Sequence, residues 1–160
     1  MATVPFEQLP ESTRLWIYSA SRDLRAEEIE KSQPLLEAFT SDWASHGSDL
    51  TAGSQWFDNH ILVIGLDDSK GDVSGCGIDK ILRMVKSLSL ELSIELLDRM
   101  HVWVCTSSGV WSRMPFAEVK RALKSGESRF THFADTTSKT KSEWLIGQCR
   151  LVKGSWLQPA

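Results

Sequence analysis

Two segments, LTAGSQWF (50–57) and HILVIGL (60–66), constrain the fold more than anything else in the chain. Both are too short for an amphipathic helix, and only Asp58-Asn59 separates them. Those two residue types tolerate the positive φ angles of a tight hairpin. Ile61–Leu66 places apolar residues on both faces, which predicts a central strand buried on both sides. A second pair, HVWVC (101–105) and VWSRM (110–114), predicts another hairpin around Thr106–Gly109.

Helical spacing fills the intervals between these hairpins. Ile78, Ile81, Leu82, Val85, Leu88 and Leu92 form one apolar stripe, so this helix is expected to cover a sheet face and to bury Leu82. Pro115 opens a further helix, PFAEVKRALKSG, which Gly126 closes. Upstream, DLRAEEIEKSQPLLEAFTSDWASHG reads as a helix with Asp23 as its N-cap, Leu36, Phe39 and Trp43 on its apolar side and Gly47 as its stop. Pro34 lies inside it and predicts a kink, or a second helix beginning near Ser32. ESTRLWIYSASR reads as a short helix presenting Leu15, Trp16 and Tyr18 to the core. RFTHF reads as a strand, EWLIGQCRL fits both periods, and Trp156 is expected to dock. With hairpins and no run of β-α-β units, the expectation is a single α+β domain over 1–160, a mainly antiparallel sheet built from two hairpins with helices packed on it.

Charge and cysteine usage leave several classes of function without support. A formal charge of −3 gives no overall attraction to phosphate backbones, so nucleic acid is unsupported. No apolar run is long enough to span a bilayer, and MATVPFEQLPESTRLW lacks the basic and apolar regions of a secretion signal. Cysteines 76, 105 and 149 show neither C-x-x-C nor histidine-pair spacing, so neither a disulfide framework nor a zinc site is indicated. Reduced thiols fit a cytoplasmic location.

The segment LDDSKGDVSGCGIDK carries the strongest chemical suggestion. It follows a buried strand and enters an amphipathic helix, where backbone N–H groups freed by Gly75 and Gly77 can bind an anion and the dipole lowers the Cys76 pKa. Cys76, with Asp79, Lys80 and His46, is the candidate catalytic set. The alternative is a turn, a helix cap and a small buried filler. No P-loop is present, because the lysine follows Asp79 with no Ser or Thr beside it. Asp67, Asp68, Asp72 and Asp79 lack calcium-loop spacing, and a solvated loop explains them. Each of the four histidines stands alone in sequence. Of the tryptophans (16, 43, 56, 103, 111, 144 and 156), Trp103 and Trp111 stand on facing strands of one hairpin. Exposed, that pair makes a peptide-binding platform; buried, it is a cross-strand core pair.

Read together, PFEQLPESTRLWIY, SHGSDL, SGCGIDK and ELLDRM resemble an uncharacterised bacterial family, some members of which are labelled ABC transporter ATPase. The likeness covers nearly the whole chain, and SGC-x-ID-K with the preceding HG is its most specific part. The sequence has no Walker A motif and is far shorter than a transporter ATPase domain, so no ATP hydrolysis is expected. VWVCTSSGVWSRMPFAEVKRALKSGE is also similar to GYF-type peptide-binding modules, without the G-Y-F triplet. The expected function is a small soluble binding or accessory protein for an unknown small molecule or protein partner. A thiol- or anion-dependent enzyme centred on SGCGIDK is the alternative. No cofactor follows from the residues.

Overall fold

The structure, a computed structural model, describes residues 3–45, 51–69, 75–127 and 129–159. The first predicted hairpin forms as β2 (Thr51–Phe57) and β3 (Ile61–Asp67). Asp58 and Asn59 take φ angles of 51° and 64°, and the His60 N–H closes the turn on the Phe57 carbonyl at 3.1 Å. β1 (Arg14–Ser19) joins the other side of β3, so the antiparallel order β1-β3-β2 makes β3 central, as expected. β4 (His101–Thr106) and β5 (Trp111–Pro115) form the second hairpin. β6 (Phe130–Phe133) and β7 (Arg150–Leu151) extend it into a four-stranded antiparallel sheet of order β5-β4-β6-β7. The fold is α+β, with four helices: α1 (Ala26–Ser45), α2 (Gly75–Leu92), α3 (Phe116–Lys124) and α4 (Lys141–Gly147). The two hairpins found separate sheets instead of sharing one.

Side-chain alternation stacks these elements in layers. Leu62, Ile64 and Leu66 of β3 face α1 and α2, meeting Leu36, Ile81, Val85 and Leu88. Ile61 and Val63, on the opposite face, meet Trp103 of β4 and Trp144 of α4. Beyond the second sheet, Val102, Val104 and Phe133 pack on Val119 of α3 and on Val152 and Leu157. The sequence of layers is therefore helices, sheet, sheet, helix.

Three local expectations are corrected, and one pair of alternatives is narrowed. ESTRLWIYSASR is a strand, not a helix. Leu15 and Ile17 face the second sheet while Trp16 and Tyr18 face the helices, and a run apolar on both faces carries no period to distinguish strand from helix. Asp23 does not cap α1, which begins three residues later; the Glu28 carboxylate reaches back to the Arg25 N–H at 2.8 Å, half of a capping box. Of the two alternatives at Pro34, the second helix is excluded, because Pro34 lies within one helix and Ser32 starts no new one. Leu82 is 41% exposed and Ile78 43%, because the face that meets the sheet runs through Ile81, Met84, Val85 and Leu88. At about 100° per residue, Leu82 sits well round the helix from Ile81.

An N-terminal segment straps the first sheet. Gly53 and Gly65 face each other across β2 and β3, and a Cβ at Gly53 would lie 2.5 Å from the Val4 carbonyl oxygen. Two adjacent glycines leave the groove in which Val4 and Leu9 lie. The buried ammonium of Lys141 fastens this strap by donating to the carbonyls of Phe6, Glu7 and Leu9 at 3.2, 2.9 and 2.6 Å. EWLIGQCRL, whose period was ambiguous, divides between the end of α4 and β7.

Candidate functional site

A cleft of about 300 Å³ lies where β4 begins. Ser19 from the end of β1, Arg99 and His101 from the entry to β4, and Thr136 and Thr137 after β6 supply its polar groups. Phe116 and Trp156 supply flat apolar walls. Ligand sites commonly combine apolar walls with a few convergent polar groups in this way.

The segment DRMH (98–101) builds one side. Asp98 Oδ1 accepts the Met100 N–H at 2.7 Å, so the chain turns back on its own carboxylate. Asp98 Oδ2 accepts from His101 Nδ1 and, at 2.5 Å, from Arg113 Nη2 on the adjacent strand. The Met100 N–H is the main cause, and His101 and Arg113 further causes, of an Asp98 pKa held below its ordinary value. An imidazole whose Nδ1–H is committed to a carboxylate keeps Nε2 as its remaining functional atom. Arg99 lies with its guanidinium carbon 5.2 Å from the Tyr18 ring centre and donates to the Ile17 carbonyl at 3.1 Å. That fixes a cation at the rim.

Asp135 builds the other side. Its buried carboxylate accepts from Thr137 N and Oγ1 at 3.1 and 2.5 Å, from Arg150 Nη1 at 2.6 Å and from Trp156 Nε1 at 3.0 Å. Burial alone would raise its pKa; these donors outweigh burial and lower it. Asp135 is thus a structural post that sets Thr137 and Trp156 in the cleft wall. Trp156 also stacks on Phe116, centroids 5.7 Å apart, so its indole is docked although 42% exposed. Neither the Ser19 nor the Thr136 hydroxyl has a hydrogen-bond partner among the described residues, and both line the cleft.

Of the residues singled out in the sequence, Trp103 lines this cleft and the others do not. His46 and the side chain of Cys76 fall outside the described residues, as do the surroundings of Gly75 and Gly77, which sit in the first turn of α2. Asp79 is exposed, and Lys80 pairs with Asp42 of α1 at 3.7 Å. Trp103 and Trp111 do share one face of their hairpin, but that face meets the first sheet. His60 stacks on Trp103 with centroids 3.7 Å apart and meets Trp111 edge-on at 5.5 Å. Trp103 is 4% exposed and donates to the Ala20 carbonyl at 3.0 Å, so it offers no open platform. Asp98, Arg99 and His101 were missed as a site. Their signal is an acid and a histidine three residues apart at a strand entry, the acid inside ELLDRM and the histidine directly after it.

Among the described residues, no group of three or more His, Cys, Asp or Glu side chains could hold a metal ion, and no helix is long and apolar enough to cross a membrane. No protein-family model, curated protein or solved structure matches the chain.

Proposed function

We propose that this chain is a small, soluble cytoplasmic binding protein whose ligand is a small organic anion, a carboxylate or phosphate ester carrying a flat or apolar body. The observation that carries the reading is the cleft lining: it holds Arg99, His101 and three hydroxyl residues and no acidic side chain. The nearby carboxylates of Asp98 and Asp135 are consumed by their own donors. Charge-assisted hydrogen bonds from a guanidinium, and from imidazole in its protonated form, suit an anionic head group, with the Ser19 and Thr136 hydroxyls completing its shell. Phe116 and Trp156 suit the body.

The test is a thermal-shift screen of aromatic and aliphatic carboxylates and phosphate monoesters, followed by calorimetric titration. A ligand that binds only the folded state raises the melting temperature. Losing a charge-assisted bond costs about 1.5–3 kcal/mol, so His101→Asn and Thr136→Val should together weaken the best ligand by about tenfold or more. No stabilising anion in the panel, or unchanged affinity in both variants, overturns the assignment.

A further inference from the structure

The chain segregates its charge. Residues 1–110 carry nine Lys and Arg against seventeen Asp and Glu, whereas residues 111–160 carry nine against four. The net charge of −3 therefore hides a strongly acidic part and a basic one. In the basic part, an open groove of about 590 Å³ runs between the end of α3 and β7. Its floor is Leu123, Phe130, Leu151 and Val152, and Lys124 and Lys153 stand at its rim. It shares no lining residue with the cleft at His101. Glu127, the acidic residue of the lining, is paired with Arg129. Lys124 and Lys153 have no carboxylate within ion-pair distance among the described residues. Leu151 is 58% exposed, on the edge strand of the sheet.

We infer that this groove docks an acidic amphipathic segment of a partner protein, a stretch that alternates large apolar residues with Asp or Glu. Two independent features converge on that chemistry. An apolar floor takes the apolar face of a peptide, as in helix-in-groove recognition. Unpaired cations around it complement acidic side chains and steer their approach. A single-stranded nucleic acid would satisfy the cations but not the floor. Such ligands need exposed aromatic faces for stacking, and the aromatic ring here, Phe130, is buried beneath the Arg129 guanidinium at 4.5 Å.

The experiment is selection of a random dodecamer peptide library displayed on phage against the full chain, followed by fluorescence anisotropy of the enriched peptides. The expected result is enrichment of sequences combining Asp or Glu with Leu, Ile, Phe or Trp. Their affinity should fall by about tenfold or more in Lys124→Glu/Lys153→Glu and in Leu151→Asp, and should weaken with rising salt. All three substituted residues are exposed, so the variants should keep the parent circular dichroism and melting curve, and His101→Asn should bind the peptides normally. Enrichment without acidic bias, indifference to the two variants, or binding of a homopolymeric RNA in place of peptides overturns the inference.

Discussion

The two central strands, β3 and β4, are built to different ends. β3 is buried from Ile61 to Leu66, with helices on one face and the second sheet on the other. It carries apolar side chains and one glycine that admits the N-terminal strap. β4 is equally buried in its middle, at Val102–Cys105, but it begins with His101, half-buried and tied to Asp98, whose carboxylate also accepts from Arg113. The cleft lies at that end, lined by His101 and by Ser19 at the end of β1. A strand enclosed on both sides supplies rigidity and no chemistry; a strand whose end borders a cleft can present a polar group on a fixed frame.

That contrast breaks most visibly under truncation. Ile64→Ala removes a side chain with no exposed surface between β3 and the helices and should cost about 2–5 kcal/mol. His101→Ala should cost no more than about 1 kcal/mol in the same denaturant titration, since half-exposed sites away from the core have small effects. Equal losses would show that both strands are scaffold. Next in size is Lys141→Met, which removes the ammonium from the Glu7 and Leu9 carbonyls, whereas the Phe6 carbonyl keeps the Leu9 N–H at 3.1 Å. Leaving a buried acceptor unpaired costs about 1–3 kcal/mol when no water replaces the donor, so a total loss of that order is expected. Amide exchange should rise first in residues 4–9. If exchange rises uniformly instead, the strap is not a separate unit hung on the first sheet.

The scaffold was more legible than the site. The β2–β3 and β4–β5 hairpins and the α2 and α3 helices follow from turn residues and from local periodicity, which act over a few positions. β1 was misread because Leu15–Tyr18 is apolar on both faces, and only pairing with β3, more than forty residues away, identifies it as a strand. Separation of the hairpins into two sheets is likewise a long-range outcome: Trp103 and His60 stack because one hairpin turn lands on the other sheet. The cleft draws on β1, the entry to β4, the start of α3, the loop after β6 and Trp156, so no spacing in the sequence could have assembled it. The SGCGIDK segment attracted attention because its chemistry is contiguous, and contiguity is what a site assembled by folding lacks.

The seam between the sheets gives a pH-dependent handle. His60 is buried, donates from Nδ1 to Asp23 at 2.8 Å, and leaves Nε2 without a partner. Burial lowers its pKa, against the opposing pull of Asp23 and Asp58. The fold therefore favours neutral imidazole. Stability should be full above the unfolded histidine pKa of about 6.5 and should decline as pH falls through the lower folded value. His60→Phe keeps an aromatic ring against Trp103 and removes the titration, so its denaturation midpoint should vary less between about pH 5 and 7. An unchanged slope would mean that the seam does not enclose this ring.

The smallest expected effect lies at the edge of the first layer, where Glu28 accepts from both terminal nitrogens of Arg22, at 2.9 and 2.8 Å, and from the Arg25 N–H at 2.8 Å. Arg22 also donates to the Leu92 carbonyl at 3.2 Å, so the carboxylate connects the start of α1 to the end of α2. The Arg22 hydrogen bonds, followed by the Arg25 N–H, hold the Glu28 pKa down at about 2. A depressed carboxylate contributes stability above its unfolded pKa of about 4.3 and loses that contribution as pH falls through the folded value. Arg22 is 44% exposed, and solvent and salt screen such a pair, which places this effect below the others. Glu28→Gln should lower the denaturation midpoint slightly at neutral pH and loosen amide protection in the first turn of α1. The gap between variant and parent should close as pH falls from about 4 toward 2, when the parent carboxylate takes up its proton. A gap that persists undiminished at the acid end would mean that Glu28 acts through packing alone and that the α1–α2 layer, like β3, contains no titrating joint.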